Sequence, residues 1–203
     1  MKISIISGSH RKDGQSLKVA KHIESRLLEL GVCDQTHLLS LSENPLPLWE
    51  EKIWEGDTQW QARLKPIAEE LTQSDGFVVI APEYHGMAPA GLKNFFLCFG
   101  KNELAHKPAL LVGVSSVDGG AYPIAELRMS SYKNSRICYL PEQLIVRNVE
   151  SVLNEEAGDA DSADAYFRGR IDWTLKQLEQ YATALKTVRA SGVTDMSDFG
   201  NGM

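Results

Sequence analysis

The sequence predicts an α/β fold built on a parallel, doubly wound sheet. Short apolar runs typical of buried strands alternate with segments of helical spacing, in the order β-α-β-α-β-α-β-α-β. The run after Asp75-Gly76 is apolar on both faces, as expected for a central strand covered by helices. No internal repeat or linker divides the 203 residues. We therefore expect one domain over residues 1–190 and a flexible tail over residues 191–203.

The first part of the chain supplies three strands and two helices. A strand over Lys2–Ser7 leads through a polar loop into a helix that ends at Gly31, because glycine commonly follows a helix C-terminus. A weaker strand is predicted over residues 32–41. A loop that contains two prolines and two tryptophans separates it from a helix over residues 58–73, and the buried strand of residues 77–81 follows.

The remainder of the chain continues the alternation. A helix over residues 92–99 precedes a strand over residues 109–114, and the next helix is predicted to run on toward Arg136. A fifth strand is expected within residues 143–149. The last helix is long, and its apolar residues are predicted to form one stripe: Tyr166, Ile171, Leu175, Leu178, Ala182 and Leu185.

Composition excludes several classes of function. The net charge of −6 argues against nucleic acid as the main partner, since proteins that follow phosphate backbones are usually basic. No apolar run is long enough to span a bilayer and no leader segment is evident, so we expect no membrane association and a cytoplasmic location. Cys33, Cys98 and Cys138 are widely spaced and include no C-x-x-C, which indicates reduced thiols and no metal site.

The loop after the first strand has the chemistry of a phosphate site. It contains two glycines, which let backbone N–H groups turn toward an anion, and it opens a helix whose N-terminus favours negative charge. Ser9, Gln15 and Ser16 add polar side chains, and the Arg11 guanidinium can grip phosphate oxygens. Neither a G-x-G-x-x-G nor a G-K-[ST] motif is present, so the loop suits a terminal monophosphate.

Two further loops follow the third and fourth predicted strands. Pro82–Gly86 offers backbone N–H groups and the aromatic Tyr84, and Ser115–Gly120 offers donors beside two glycines. All three loops emerge at the carboxyl edge of a parallel sheet, where such folds bind ligands. A monophosphate combined with a flat ring that has polar edges describes FMN.

These motifs resemble the NADPH-dependent FMN reductase family, the flavodoxin-like NAD(P)H:quinone, azo-dye and chromate reductases. The matching stretches are G-S-H-R-K-D-G-Q-S at Gly8–Ser16, A-P-E-Y-H-G at Ala81–Gly86 with G-L-K-N at Gly91–Asn94, and S-S-x-x-G-G at Ser115–Gly120. The resemblance implies a flavodoxin-like three-layer α/β/α sandwich, with a five-stranded parallel sheet in the order 2-1-3-4-5.

The resemblance also implies three groups of FMN-binding residues. The phosphate would be held by Ser9, Arg11, Gln15 and Ser16. The isoalloxazine ring would be lined by Pro82, Glu83, Tyr84, His85 and Gly86, and its pyrimidine edge would lie near Ser115 and Gly119. The chain departs from the family pattern at Gly14, where a serine is common, and at His85, where an asparagine is common.

The activity implied by the resemblance is hydride transfer from NADPH or NADH to bound FMN. Electrons then pass to a small-molecule acceptor, which could be free FMN, a quinone, an azo compound or a metal oxyanion. The flavin carries the chemistry, so no catalytic acid, base or nucleophile is expected from the protein. A flavodoxin-type FMN electron carrier without nicotinamide activity is the alternative, although Arg11 and the modest net charge favour the reductase.

The family resemblance further suggests a homodimer or a homotetramer. The loop that carries Trp49 and Trp54 and the helix after Gly91 are the candidate contact surfaces. Two tryptophans in one loop are more than solvation requires, and we favour a role in covering the core or a subunit contact. The alternative is that they wall one side of a pocket.

Overall fold

The computed structural model describes residues 1–203 and contains one five-stranded sheet in the order β2-β1-β3-β4-β5. The strands are β1 (Lys2–Ser7), β2 (Gln35–Ser40), β3 (Gly76–Pro82), β4 (Pro108–Val114) and β5 (Cys138–Val146). Every pair of neighbouring strands is parallel. The predicted fold class and strand order are therefore confirmed.

Helices cover both faces of this sheet. They are α1 (Gln15–Glu29), α2 (Thr58–Gln73), α3 (Ala90–Cys98), the short α4 (Lys101–Leu104), α5 (Ala121–Ser130) and α6 (Ala163–Ala190). On one face Ile23 of α1 and Leu175 of α6 belong to the same buried cluster. On the other face Leu64, Phe95 and Ile124 bring α2, α3 and α5 together. No helix is long and apolar enough to cross a membrane.

The central strand β3 shows why the sheet is held firmly between the helical layers. Successive side chains of a strand point to opposite faces. Val78 and Ile80 accordingly belong to the cluster under α1 and α6, whereas Phe77, Val79 and Ala81 belong to the cluster on the other face. All residues of β3 are buried, as the uninterrupted apolar run predicts. The carboxyl end of β3 is thus a rigid support for the loop that follows.

Two predicted boundaries are wrong in the C-terminal half. Helix α5 ends at Ser130 and does not continue toward Arg136. In the turns that follow, the hydroxyls of Ser131 and Ser135 donate to backbone carbonyls four residues earlier, at 2.7 and 2.6 Å. Such bonds compete with regular helical geometry. Strand β5 begins at Cys138 and ends at Val146, whereas residues 143–149 were expected. Pro141 interrupts its apolar pattern, and a bulge in the pairing with β4 accommodates the interruption at the sheet edge.

Smaller differences occur elsewhere. Strand β2 is shorter than the predicted span of residues 32–41, and helix α4 was not predicted. Tyr166 is 63% exposed and does not belong to the buried stripe of α6. Asp164 is buried at the start of this helix, and the next buried residue is Ile171.

The segment after α6, residues 191–203, contains no helix or strand. It lies beside the rest of the chain, since Lys101 Nζ donates to the Gly200 carbonyl at 2.7 Å and the Arg136 guanidinium donates to the Phe199 carbonyl. The division into one domain over residues 1–190 and a flexible tail stays a prediction.

Candidate functional site

The loops after β1, β3 and β4 enclose a small cavity at the carboxyl edge of the sheet. Its volume is about 110 Å³, room for a few water molecules at about 30 Å³ each, which suits a compact group more than a whole nucleotide. Three of the predicted site residues, His85, Gly86 and Gly119, lie outside its lining. The lining consists of Ser9, Arg11, Gly14, Gln15, Ser16, Pro82, Glu83, Tyr84, Val114, Ser115, Ser116 and Val149.

The first loop closes tightly on itself at Gly14. A Cβ atom at this position would lie 2.3 Å from Ser9 Oγ, which is closer than any real contact. The serine that is common here in the family would therefore displace Ser9. This close approach explains why the chain has glycine at position 14 in place of the family's serine. It also keeps the Ser9 hydroxyl against the start of α1.

The N-terminus of α1 has unused donors. Gly14 provides no side-chain cap, and the first turn contains no acidic residue. Ser16 is 1% exposed, and its hydroxyl has no hydrogen-bond partner, as is also true of Gln15 Oε1. Buried polar groups are normally paired, so these atoms indicate a ligand. A phosphate fits the Ser16 hydroxyl and the helix N-terminus, because it accepts hydrogen bonds and is stabilised by the helix dipole. Gln15 Oε1 is itself an acceptor, so it calls for a donor on the ligand and not for a phosphate oxygen.

Arg11 supplies the positive charge at this cavity. Its side chain is exposed and makes no salt bridge or hydrogen bond within the protein, although its backbone N–H donates to Ser9 Oγ at 3.3 Å. A guanidinium without an internal partner can bind two phosphate oxygens with its planar fork. The chemistry of the donor set therefore fits a terminal phosphate.

The second loop contains a tight turn from Tyr84 to Met87. Their backbone groups exchange two hydrogen bonds of 3.0 Å, and His85 and Gly86 have φ angles of 51° and 76°. Positive φ at both central residues defines a type I′ turn. Among residues other than glycine, asparagine and histidine are enriched in this conformation. The backbone therefore explains why His85 can replace the family's asparagine.

Tyr84 points from the second loop toward the first. Its hydroxyl lies 2.7 Å from Ser9 Oγ, and its ring meets the ring of His10 edge to face at a centroid distance of 5.4 Å. The prediction from sequence assigned Tyr84 to the flavin ring. The structure places its hydroxyl beside the residues predicted to hold the phosphate.

Glu83 joins the second loop to the third. Its Oε2 accepts a hydrogen bond from Gly120 N–H at 2.5 Å, and a Cβ atom at Gly119 would lie 2.7 Å from Oε1. The carboxylate therefore has a structural task, and a side chain at position 119 would displace it from its place against the third loop. The third loop is also held by Arg147, whose Nε donates to the Gly119 carbonyl at 3.2 Å.

The sequence did not assign Gly14, Val114, Ser116 or Val149 to the site, although the first three belong to or adjoin the predicted loops. Val149 lines the cavity, and its N–H donates to the Ser115 carbonyl at 3.1 Å. Lys18 on α1 donates to the carbonyls of Val149 and Val152 at 2.6 and 2.8 Å, and burial lowers the pKa of its ammonium group. No local signal reveals these contacts, because Lys18 and Val149 are distant in sequence.

A larger open groove lies on the other side of the first turn of α1. Its volume is about 1030 Å³, and it shares Gly14 and Gln15 with the small cavity. Its walls carry charges of both signs, and Arg168 is already paired with Asp164 at 2.7 Å. The groove also contains the exposed ammonium groups of Lys12 and Lys21, which form no ion pair, but it lacks the buried Ser16 hydroxyl that lines the smaller cavity.

Two curated proteins are similar to this chain over most of its length. The NADPH azoreductase of Bacillus sp. (strain OY1-2) is 25% identical over 189 residues, which are 93% of this chain and 97% of that protein. The quinone reductase of Escherichia coli (strain K12) is 25% identical over 161 residues, 74% of this chain and 82% of that protein.

A solved structure shares the fold. FerB from Paracoccus denitrificans, a flavoenzyme NAD(P)H:(acceptor) oxidoreductase, matches with a TM-score of 0.64 at 19% identity, over 90% of this chain and 97% of that one. The family model described as NADPH-dependent FMN reductase matches residues 1–151, which include all three loops. The chain therefore belongs to the NADPH-dependent FMN reductase family, as its motifs indicated.

Proposed function

We propose that this protein is an NAD(P)H-dependent flavin reductase that binds FMN between its three loops and reduces a small-molecule acceptor. The observation that carries the proposal is the unpaired donor set at the start of α1. Ser16 is buried without a partner, Arg11 has no internal ion pair, and the helix end is uncapped. An anion of the size of a phosphate satisfies all three.

The residues of the chain bind and orient the cofactor. Ser9, Ser16 and Arg11 would hold the phosphate, while the loops Pro82–Gly86 and Ser115–Gly119 would line the isoalloxazine ring. When bound, FMN supplies the hydride-accepting and hydride-donating chemistry. In the absence of any ligand, the Glu83–Gly120 hydrogen bond joins the two loops proposed to line the ring.

The two loops proposed to line the ring favour a flat, partly apolar acceptor. Met87 on the second loop and Val117 on the third loop are both exposed. Apolar side chains on two sides of a ring site suit a quinone or an azo compound more than a metal oxyanion, because exposed apolar surface gains free energy when a planar molecule covers it. The names of the azoreductase and quinone reductase relatives support the same acceptor class.

A homodimer located in the cytoplasm is part of the proposal. Lys93 of α3 and Glu126 of α5 form an ion pair of 2.9 Å, and one turn further along each helix stand the exposed Leu97 and Met129. Apolar residues that project from neighbouring helices suit a contact with a second copy, and a tetramer would require a second contact surface.

Light scattering should give a dimer for the wild type and a monomer for Met129→Asp. Val188→Asp on α6 is the control, and a dimeric Met129→Asp variant would exclude this face.

A visible spectrum tests the activity most directly. Purified protein supplemented with FMN should show bound flavin, and anaerobic NADPH or NADH should bleach it. Bound flavin that neither nucleotide reduces would instead support the electron carrier. Failure to bind FMN would mean that the three loops serve another ligand.

A further inference from the structure

The hydroxyls of Ser9 and Tyr84 form a pair that connects the first loop to the second. They lie 2.7 Å apart, and both residues line the small cavity. Ser9 is 3% exposed, and its oxygen also receives the backbone N–H of Arg11 at 3.3 Å. Neither hydroxyl has any other partner within the protein.

A count of protons shows what this pair can offer to a ligand. Each hydroxyl has one proton and two acceptor positions, so the pair holds two protons and uses one between its oxygens. If Tyr84 is the donor, Ser9 keeps a free proton, and if Ser9 is the donor, Tyr84 keeps it. The pair therefore presents one unused donor in either arrangement. The N–H of Arg11 occupies an acceptor position of Ser9, which leaves the pair better suited to an acceptor ligand than to a donor.

We propose that Ser9 donates to the Tyr84 oxygen and that the Tyr84 proton is donated to the terminal phosphate of FMN, which makes Tyr84 a determinant of specificity for phosphorylated flavin. The inference rests on the proposed binding of FMN. The cavity that the pair lines also contains the unpaired Ser16 hydroxyl and the Arg11 side chain, so its donors converge on an anion. Tyr84 thereby acts at the phosphate end of the ligand, in addition to any contact that its ring makes with the isoalloxazine.

The backbone around Tyr84 explains how the hydroxyl is kept in place. Tyr84 begins the type I′ turn, and its N–H and carbonyl are both bonded to Met87 at 3.0 Å. Glu83, the preceding residue, is bonded through its N–H to the Val114 carbonyl at 2.9 Å. The phenol is therefore carried by a segment whose backbone bonds do not depend on a ligand, and little order has to be gained when the phosphate binds.

The test compares FMN with riboflavin, which has the same ring but no phosphate. Full-length protein freed of flavin is titrated with each compound, and flavin fluorescence reports the Kd. Tyr84→Phe should weaken FMN binding about tenfold, since hydrogen bonds to charged groups are typically worth at least that factor. Riboflavin binding should be unchanged. Tyr181→Phe on α6 is the matched control, because it removes an exposed tyrosine hydroxyl that makes no hydrogen bond in the protein.

A double-mutant cycle with Ser9→Ala sharpens the test. If the two hydroxyls act as one donor unit, the combined variant should lose less FMN affinity than the sum of the two single variants. Equal weakening of FMN and riboflavin by Tyr84→Phe, or no weakening of either, would overturn the inference while leaving FMN binding by the wild type intact. A wild-type protein that binds neither flavin would overturn the proposed function as well.

Discussion

A buried cation at the amino edge of the sheet and an exposed cation at its carboxyl edge differ in whether the protein itself supplies their hydrogen-bond partners. At the amino edge, Lys107 is 7% exposed, and its ammonium group donates to the carbonyls of Leu71, Thr72 and Glu103 at 2.9, 2.8 and 2.7 Å. At the carboxyl edge, the guanidinium of Arg11 and the hydroxyl of Ser16 have no partner in the protein. Folding alone satisfies the buried cation of the first edge, whereas donors of the second remain for a ligand.

This difference indicates that Lys107 contributes to the stability of the fold, whereas Arg11 is available for ligand binding. Lys107 closes the C-terminal end of α2, where carbonyls lack helical partners and a positive charge is favoured by the helix dipole. Arg11 lies on the loop before α1 and contributes nothing comparable to the folded chain. Substitution of Lys107 should therefore change the free energy of unfolding, and substitution of Arg11 should change the affinity for FMN.

The largest effect is expected at Lys107. Lys107→Met keeps much of the apolar stem but removes the donor from three backbone carbonyls, so the free energy of unfolding should fall by about 3 kcal/mol. Urea denaturation of the flavin-free protein measures the change. Lys101→Met, which removes only a bond to the Gly200 carbonyl, is the control and should cost far less. A loss of FMN affinity in Lys107→Met without a loss of stability would contradict the division between the edges.

The next effect is expected at Arg11. Arg11→Ala should weaken FMN binding by about 2 kcal/mol, because a hydrogen-bonded charge on the phosphate is lost, while urea denaturation of the flavin-free protein stays unchanged. Lys12→Ala is a matched control, since Lys12 is an exposed cation that does not line the small cavity. Equal FMN affinities of Arg11→Ala and the wild type would remove Arg11 from the phosphate site.

The pH dependence of stability provides a further test of the amino edge. Burial lowers the pKa of Lys107 from 10.5 to about 8. Between these values the unfolded chain binds more protons at this group than the folded chain, so the Lys107 contribution should make the free energy of unfolding rise as the pH increases from about 8 to 10.5. The rise should be absent from Lys107→Met. Identical slopes in both proteins would show that burial does not penalise the charged ammonium.

The smallest effects are expected at His85, where the backbone requires a positive φ. His85→Asn should leave stability and FMN affinity close to those of the wild type, whereas His85→Val should destabilise the protein by about 1 kcal/mol, because a β-branched residue is strained in this conformation. Urea denaturation and the pH profile of NADPH oxidation are the measurements. A shifted pH profile for His85→Asn would show that the imidazole takes part in the reaction, in addition to its place in the turn.

The order and type of the main elements could be predicted from local patterns. The apolar runs of β3 and β4, the helical spacing of residues 58–73 and the polar glycine-containing loops are properties of neighbouring residues, and the alternation of strands and helices leaves few topologies. The meeting of the three loops at one edge follows from the direction of parallel strands. The boundaries of β5 could not be predicted in this way, since Pro141 is tolerated only because the strand lies at the sheet edge and contains a bulge.

The contacts that shape the site arise between residues far apart in the sequence. The Tyr84 hydroxyl meets Ser9, the Glu83 carboxylate meets Gly120, and the Lys18 ammonium group meets Val149, at sequence separations of 75, 37 and 131 residues. Each pair depends on where two separate elements lie in the folded sheet, and no periodicity or motif records that position. The sequence is therefore sufficient to place the first polar loop at the carboxyl edge of the sheet, whereas the contact of Tyr84 with that loop required the three-dimensional arrangement of β1 and β3.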